Sequence, residues 1–162
     1  MRIGHGYDIH RFEEHPTRDF MMLGGIKIPY ERGIVAHSDG DIAIHALCDA
    51  LLGAVALGDI GQHFPDTDPR YANMDSKLLL KSVVEKIAAM GFAPLNVDLS
   101  VIAEAPKLKP YIIAMRESLS VLLGVNMDQV SVKATTNEKM DAIGEKKAIA
   151  VHAVVLLTSI QE

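Results

Sequence analysis

Ala148-Ile149-Ala150-Val151-His152-Ala153-Val154-Val155-Leu156-Leu157-Thr158-Ser159 reads as a strand with two apolar parities. Ile149, Val151, Ala153, Val155 and Leu157 form one, and Ala148, Ala150, Val154 and Leu156 form the other. A strand with one wet face alternates apolar with polar residues, so this one needs cover on both sides. The rest of the chain offers three helices of useful length, enough for one side of a small sheet. The other side calls for another subunit, and the sequence therefore predicts an oligomer. The expected fold class is an α/β (α+β) sandwich: a small mixed β-sheet covered by helices on one face and packed against neighbouring subunits on the other. With 162 residues and neither repeat nor linker, residues 1–162 read as one domain.

Upstream of that strand, Val130 to Thr135 is a short strand that delivers Thr135-Thr136-Asn137-Glu138-Lys139 at its end. Leu95 to Ala103 alternates as another and runs into Glu104-Ala105-Pro106-Lys107-Leu108-Lys109-Pro110, a turn confined by two prolines. A helix from Pro110 to Leu123 ends at Gly124, with Ile113, Leu119 and Leu122 apolar. An earlier helix starts at Asp75 or Ser76, carries Leu79, Val83, Ile87 and Met90 on its inner stripe, and is capped at Gly91. Phe20–Leu23 and Ile26–Tyr30, joined by Gly24-Gly25, predict a hairpin whose two-residue turn takes positive φ. Gly58 to Pro69 is rich in Gly, Pro and Asp and reads as a turn-rich connection or a ligand-facing loop.

Composition narrows the function classes. Hydrophobic residues make up 49% and charged residues 23%, and the formal net charge is −5. No basic field is available to hold nucleic acid or an anionic membrane. Cys48 is the only cysteine, which excludes an internal disulfide and fits a reducing compartment. The longest apolar run, Ala148 to Leu157, is broken by His152 and too short to span a bilayer. A cytoplasmic protein is expected.

The chemistry concentrates in two places. In Ala36-His37-Ser38-Asp39-Gly40-Asp41-Ile42-Ala43-Ile44-His45, Ser38 and Asp41 have the spacing of a capping box, which predicts a helix beginning near Ser38. Its apolar stripe is Ile42, Ala46, Leu47, Ala50, Leu51, Ala54 and Val55, while Asp41, His45 and Asp49 stand four apart on another face. Met1 to Phe12 reads as a strand with Ile3, Tyr7 and Ile9 on one parity and Gly4, Gly6, Asp8 and His10 on the other. Asp8 and His10 thus project to one side, about 7 Å apart along the strand. Asp8, His10 and His45 together supply one carboxylate and two imidazoles, the ligand set of an open zinc site. The competing readings are a boundary histidine of a packed helix and a solvated polar strand end, and spacing alone does not bring the three together.

Several blocks, in order, carry a resemblance. They are Arg2-Ile3-Gly4-His5-Gly6-Tyr7-Asp8-Ile9-His10, Leu23-Gly24-Gly25, Ala36-His37-Ser38-Asp39-Gly40-Asp41 and His45-Ala46-Leu47. After them come Gly58-Asp59-Ile60-Gly61, Phe64-Pro65-Asp66-Thr67-Asp68, Ala105-Pro106-Lys107 and Lys133-Ala134-Thr135-Thr136-Asn137-Glu138-Lys139. Over nearly its whole length the chain resembles the 2-C-methyl-D-erythritol 2,4-cyclodiphosphate synthases of non-mevalonate isoprenoid biosynthesis. The resemblance implies a CMP-releasing cyclisation of a cytidine diphosphate substrate by a homotrimer with active sites between subunits. It implies zinc on Asp8, His10 and His45, and magnesium or manganese on Glu138. His37 and Ser38 match groups that meet the methylerythritol phosphate, Thr135 and Thr136 contacts to the diphosphate, and Asp59 and Gly61 contacts to the ribose. Asp66 matches a contact to the methylerythritol hydroxyls, and Ala103, Pro106, Lys107 and Leu108 the turn around cytosine. His37, Ser38, Thr136 and Glu138 are the expected catalytic set.

The match has departures. Where relatives commonly carry Phe, Arg and, in the last strand, Glu, this chain has Ala142, Glu145 and His152. By resemblance these positions lie near the trimer's central cavity, where some relatives hold isoprenoid phosphates, and an acid in place of arginine disfavours anion capture. We expect Glu145 and His152 to form a pair of reversed polarity, against the alternative of a solvated turn and an unrelated histidine. Two other functions compete: a non-catalytic metal- or ligand-binding trimer of the same fold, and a zinc hydrolase using the open metal position to activate water.

Overall fold

The computed structural model describes residues 1–65, 67–69 and 74–160. The elements run β1 (Arg2–Arg11), β2 (Phe20–Leu23), β3 (Ile26–Pro29), α1 (Ile42–Ala54), α2 (Ile60–His63), α3 (Ser76–Ala89) and β4 (Phe92–Ile102). Then follow α4 (Ile112–Leu123), β5 (Val130–Thr135), α5 (Asp141–Gly144) and β6 (Ala148–Ser159). The main sheet has the order β1-β6-β4-β5, with β6 antiparallel to both of its neighbours and β4 parallel to β5. The parallel pair is joined through α4, as such a pair requires a crossover. β2 and β3 form a separate hairpin, and Gly24 and Gly25 take φ of +62° and +79° as its turn demands. No helix among the described residues is long and apolar enough to cross a membrane.

β6 explains the layering. Ile149, Val151, Ala153, Val155 and Leu157 have no exposed area and belong to the main core with residues of α1, α3 and α4. The opposite face is covered only in part within the chain. Val154 on β6 is 39% exposed, and Ile3, Tyr7 and Ile9, on the same face of β1, are exposed as well. The apolar parity of β1 therefore points away from the helices, and its glycine parity points toward them.

That inversion lets α1 lie directly on the strand. A Cβ at Gly4 would stand 1.8 Å from the Ala50 carbonyl oxygen, and one at Gly6 1.9 Å from that of Ala46. The helix is apolar nearly all round, as a fully surrounded helix should be. Ile42, Ile44, Leu47, Leu51 and Leu52 are completely buried, each contributing about 1.5–3 kcal/mol of transfer free energy. His45 and Asp49, one turn apart, are its two polar side chains.

α1 begins at Ile42, and its cap is Asp41 in place of the expected Ser38. The Asp41 carboxylate accepts from the N–H of Ile44 at 3.1 Å and also from Gly24 at 2.8 Å and Gly25 at 2.6 Å. One buried side chain thus caps the helix and pins the hairpin turn. Burial pushes this carboxyl up, and those three N–H groups work against the rise.

Two further expectations change. Gly58–Pro69 contains the short helix α2, capped by Asp59 and tied to α1 where the Ile60 N–H donates to Asp49 Oδ1 at 2.7 Å. Met90 is 46% exposed, and Leu80 joins Leu79, Val83 and Ile87 inside. On α4 Ile113 faces solvent, while Met115, Leu119 and Leu123 are buried. Cys48 is fully buried, which pushes its thiol well above the usual range and leaves it a packing residue.

Candidate active site

Asp8 and His10 leave β1 on the side facing α1, and His45 comes down from the first turn of that helix to meet them. Asp8 Oδ2 stands 3.3 Å from His10 Nε2 and 3.2 Å from His45 Nδ1. One donor atom from each residue falls within 4.8 Å of the others. Tetrahedral zinc with arms of about 2.0–2.1 Å keeps neighbouring ligand atoms about 3.3 Å apart. The two spacings to Asp8 match that edge length, so the residues fit such an ion. Among the described residues this is the one group of three donors close enough to do so.

Each imidazole is held by its other nitrogen, as metal-bound histidines commonly are. His10 Nδ1 lies 2.8 Å from the Val35 carbonyl oxygen, which can only accept, so Nε2 is left facing Asp8. His45 Nε2 lies 2.9 Å from Ser76 Oγ and 3.3 Å from Ser38 Oγ. Burial alone raises the Asp8 carboxyl, but hydrogen bonds from His10 and His45 and their positive charge outweigh it and hold it at about 2. Asp49, also lining the site, is pushed up by burial.

The three donors sit on the wall of a cavity of about 290 Å³ that also presents His37, Ser38 and Gly61. Asp59, exposed, caps the adjoining helix α2. A second cavity of about 480 Å³ is lined by Ala103, Pro106, Lys107, Leu108, Thr135 and Thr136. Beside it, the Glu138 N–H donates to Thr136 Oγ1 at 3.3 Å. Glu138 and Lys139 both have left-handed backbone, with φ of +51° and +62°, a conformation that costs non-glycine residues energy and needs support. Glu104 supplies it: its Oε1 accepts from the Asn137 N–H at 3.0 Å and the Lys139 N–H at 3.1 Å.

The site residues therefore fall into two groups. Asp8, His10, His37, Ser38, His45 and Gly61 surround the first cavity, and Ala103, Pro106, Lys107, Leu108, Thr135 and Thr136 surround the second. Asp66 lies outside the described residues. Asp39, Ser76 and Glu104 were not singled out from sequence, because each acts through a partner 31 or more positions away. Glu145 and His152 do not pair. Glu145 forms an ion pair with Lys147, and His152 shares a 3.0 Å hydrogen bond with His5 and packs against Tyr7.

Comparison with known proteins bears on this geometry. The YgbB family model matches residues 1–158. The 2-C-methyl-D-erythritol 2,4-cyclodiphosphate synthase of Ectopseudomonas mendocina is 59% identical over 97% of this chain and 98% of its own. Its counterpart in Azotobacter vinelandii is 56% identical over 99% and 100%. Among solved structures, IspF of Plasmodium falciparum in complex with CDP superposes with a TM-score of 0.85 at 37% identity, covering 99% of this chain and 97% of that one. The bifunctional IspDF of Campylobacter jejuni gives 0.91 at 41% identity over 98% of this chain, which spans only 42% of that longer protein.

Proposed function

The chain belongs to the YgbB family, alongside the 2-C-methyl-D-erythritol 2,4-cyclodiphosphate synthases, and we propose that it carries out their reaction as a CMP-forming phosphorus–oxygen lyase. The substrate is 4-diphosphocytidyl-2-C-methyl-D-erythritol 2-phosphate and the product 2-C-methyl-D-erythritol 2,4-cyclodiphosphate. The observation that carries the reading is the meeting of Asp8, His10 and His45 on the wall of a cavity shared with His37 and Ser38.

In the reaction an oxygen of the 2-phosphate bonds to the β-phosphorus while the bond from that phosphorus to the α–β bridging oxygen breaks. CMP leaves with that oxygen and its electron pair. Two unit charges 4 Å apart repel by about 4 kcal/mol at an effective dielectric near 20, and a chain of net charge −5 has little of its own to offset this. Zinc on Asp8, His10 and His45, with magnesium or manganese at Glu138, would supply positive charge and polarise the β-phosphoryl group.

The protein's own part is positioning. His37 and Ser38 meet the methylerythritol phosphate, and Thr135 and Thr136 orient the diphosphate. Asp59 and Gly61 take the ribose, Asp66 the methylerythritol hydroxyls, and Ala103, Pro106, Lys107 and Leu108 the cytosine. The nucleophile belongs to the substrate, so no covalent intermediate with the protein is needed. A homotrimer follows from the same reading. Each chain carries two cavities with different linings and an exposed apolar sheet face, which supports sites completed between subunits. The lone buried Cys48 fits a cytoplasmic location.

Phosphorus NMR of the purified protein with the cytidine diphosphate substrate and Mg²⁺ tests the proposal. Cyclic diphosphate and CMP are expected. Inorganic phosphate would make it a hydrolase, and an unchanged spectrum a binding protein.

A further inference from the structure

We propose that Asp39 and Ser76 are positioning residues that determine which nitrogen of His45 faces Asp8 and His10. The inference rests on the metal-assisted reading above and adds to it two groups outside the ligand set. Ser76 opens α3 and is completely buried, and His45 is nearly so, so water competes little for their hydrogen bonds. The Ser76 N–H donates to Asp39 Oδ2 at 3.0 Å, and its hydroxyl donates to Asp39 Oδ1. The same Oδ1 accepts from the Asp41 N–H at 3.1 Å.

The directions of these bonds follow from counting protons. A carboxylate only accepts, whereas a serine hydroxyl has one proton and two lone pairs. Ser76 commits its proton to Asp39. Toward His45 Nε2, 2.9 Å away, Ser76 Oγ can then only accept, so Nε2 carries the ring proton. Nδ1, 3.2 Å from the Asp8 carboxylate, is then the nitrogen that gives up its proton when a metal binds. A cation belongs between that nitrogen and the carboxylate: a proton in the metal-free ring, a metal ion in the loaded site. Asp39 and Ser76 thereby tie the mouth of α1 to the start of α3 and set the donor atom of the third ligand.

A second consequence concerns Ser38, whose hydroxyl is 3.3 Å from the same Nε2. With Ser76 as the nearer acceptor, the His45 N–H is satisfied without it. The Ser38 hydroxyl is then available to the phosphate it faces in the proposed reaction.

Nitrogen-15 NMR of the histidine rings in metal-free protein, together with zinc competition against a chromophoric chelator, tests this. Wild type, at a pH where the ring is neutral, should show His45 as the Nε2–H tautomer. Ser76→Ala should mix the tautomers and weaken zinc binding about 10–100-fold, the range typical of lost outer-shell partners, whereas Ser76→Thr, which keeps a hydroxyl, should recover most of the affinity. Asp39→Asn can donate its amide N–H to Ser76 Oγ and so turn the hydroxyl proton toward His45, shifting the ring toward Nδ1–H. Wild-type tautomer and zinc affinity in both Ser76→Ala and Asp39→Asn would overturn the inference. If wild type took up no zinc, the metal-assisted reading would fail on its own, and the ring tautomer in metal-free protein would still decide this inference.

Discussion

The donors of the first cavity all belong to regular elements, two to β1 and one to a helix with almost no exposed side chain, whereas the second cavity lies between β5 and the turn that follows β4, beside the loop that bears Glu138. In the first, both rings are oriented by groups that are themselves hydrogen-bonded. In the second, the loop bearing Glu138 has two consecutive left-handed residues and leans on one half-buried carboxylate, Glu104. The contrast fits the two jobs proposed. A metal site of fixed geometry loses affinity when a ligand moves by a few tenths of an ångström, while a turn around a nucleotide base can close after binding.

The largest effect should come from filling the space between strand and helix. In Gly6→Ala the new Cβ would stand 1.9 Å from the Ala46 carbonyl and 2.8 Å from the Ala50 nitrogen, so α1 must lift off β1. Overpacking against backbone should cost about 3 kcal/mol or more, or about 6–12 °C in Tm for a chain of this size. Zinc uptake should fall with it, because the lift separates His45 from Asp8. A Tm within 2 °C of wild type, by thermal melts followed by circular dichroism, would remove the rigid strand–helix platform from the comparison.

Next come His45 beside the first cavity and Glu138 beside the second. His45→Ala should abolish stoichiometric zinc while keeping the fold, and Glu138→Gln should keep zinc and cut turnover by about 10²-fold or more. Metal analysis alongside the phosphorus NMR assay separates them. Normal turnover by a zinc-binding His45→Ala protein would show that the ligand assignment is wrong.

How far these regions could be read from sequence follows the same division. β6, β5 and the hairpin were legible because their patterns are local: two apolar parities in Ala148–Ser159, and adjacent glycines between two short apolar runs. The start of α1 was misread because Ser38 and Asp41 both suit a cap, and the choice is made by the distant N–H groups of Gly24 and Gly25. Periodicity located α3 and α4 and the inner side of α3, but it carried that stripe one turn too far, to Met90, which the end of the helix leaves exposed. The donor residues were visible as chemistry, and family resemblance supplied their company. Asp39, Ser76 and Glu104 left no local signal, since a carboxylate in a loop resembles any other until the chain folds its partner against it.

Glu104→Ala offers a smaller effect that belongs to the second cavity alone. It removes the acceptor of the Asn137 and Lys139 N–H groups, a loss of about 1–2 kcal/mol for a partly exposed bond pair. The cost should fall on substrate KM and on the concentration of Mg²⁺ needed for half-maximal rate, each raised several-fold, with zinc affinity unchanged. Glu104→Gln keeps a carbonyl acceptor and should restore most of the loss. A change in zinc affinity on Glu104→Ala would mean that the two cavities are not independently supported.

The smallest effect tests whether the first cavity also depends on a loop. Val35, whose carbonyl orients His10, is held beside β1 by its N–H to the Arg11 carbonyl at 2.9 Å. Two residues earlier Gly33 exchanges hydrogen bonds with Glu13: its carbonyl accepts the Glu13 N–H at 2.9 Å, and its N–H donates to Glu13 Oε2 at 3.3 Å. The Glu13 carboxyl also accepts from the Thr17 N–H and hydroxyl at 2.9 and 2.8 Å and pairs with Arg18. The Thr17 N–H leads the causes that hold this carboxyl below its usual 4.5, outweighing the opposing effect of burial, with the Thr17 hydroxyl, Gly33 and Arg18 adding to it. A depressed carboxyl stabilises the folded state above its unfolded value, and that stability disappears as pH falls through the folded value. Glu13→Gln, which cannot ionise, should therefore melt below wild type at pH 7 by a margin within about 4 °C. The two should converge as the pH drops below 4.5. A margin that stays constant down to pH 3 would mean that the charge on Glu13 does not contribute, and that the Val35 carbonyl is held in place by the backbone bonds of β1 alone.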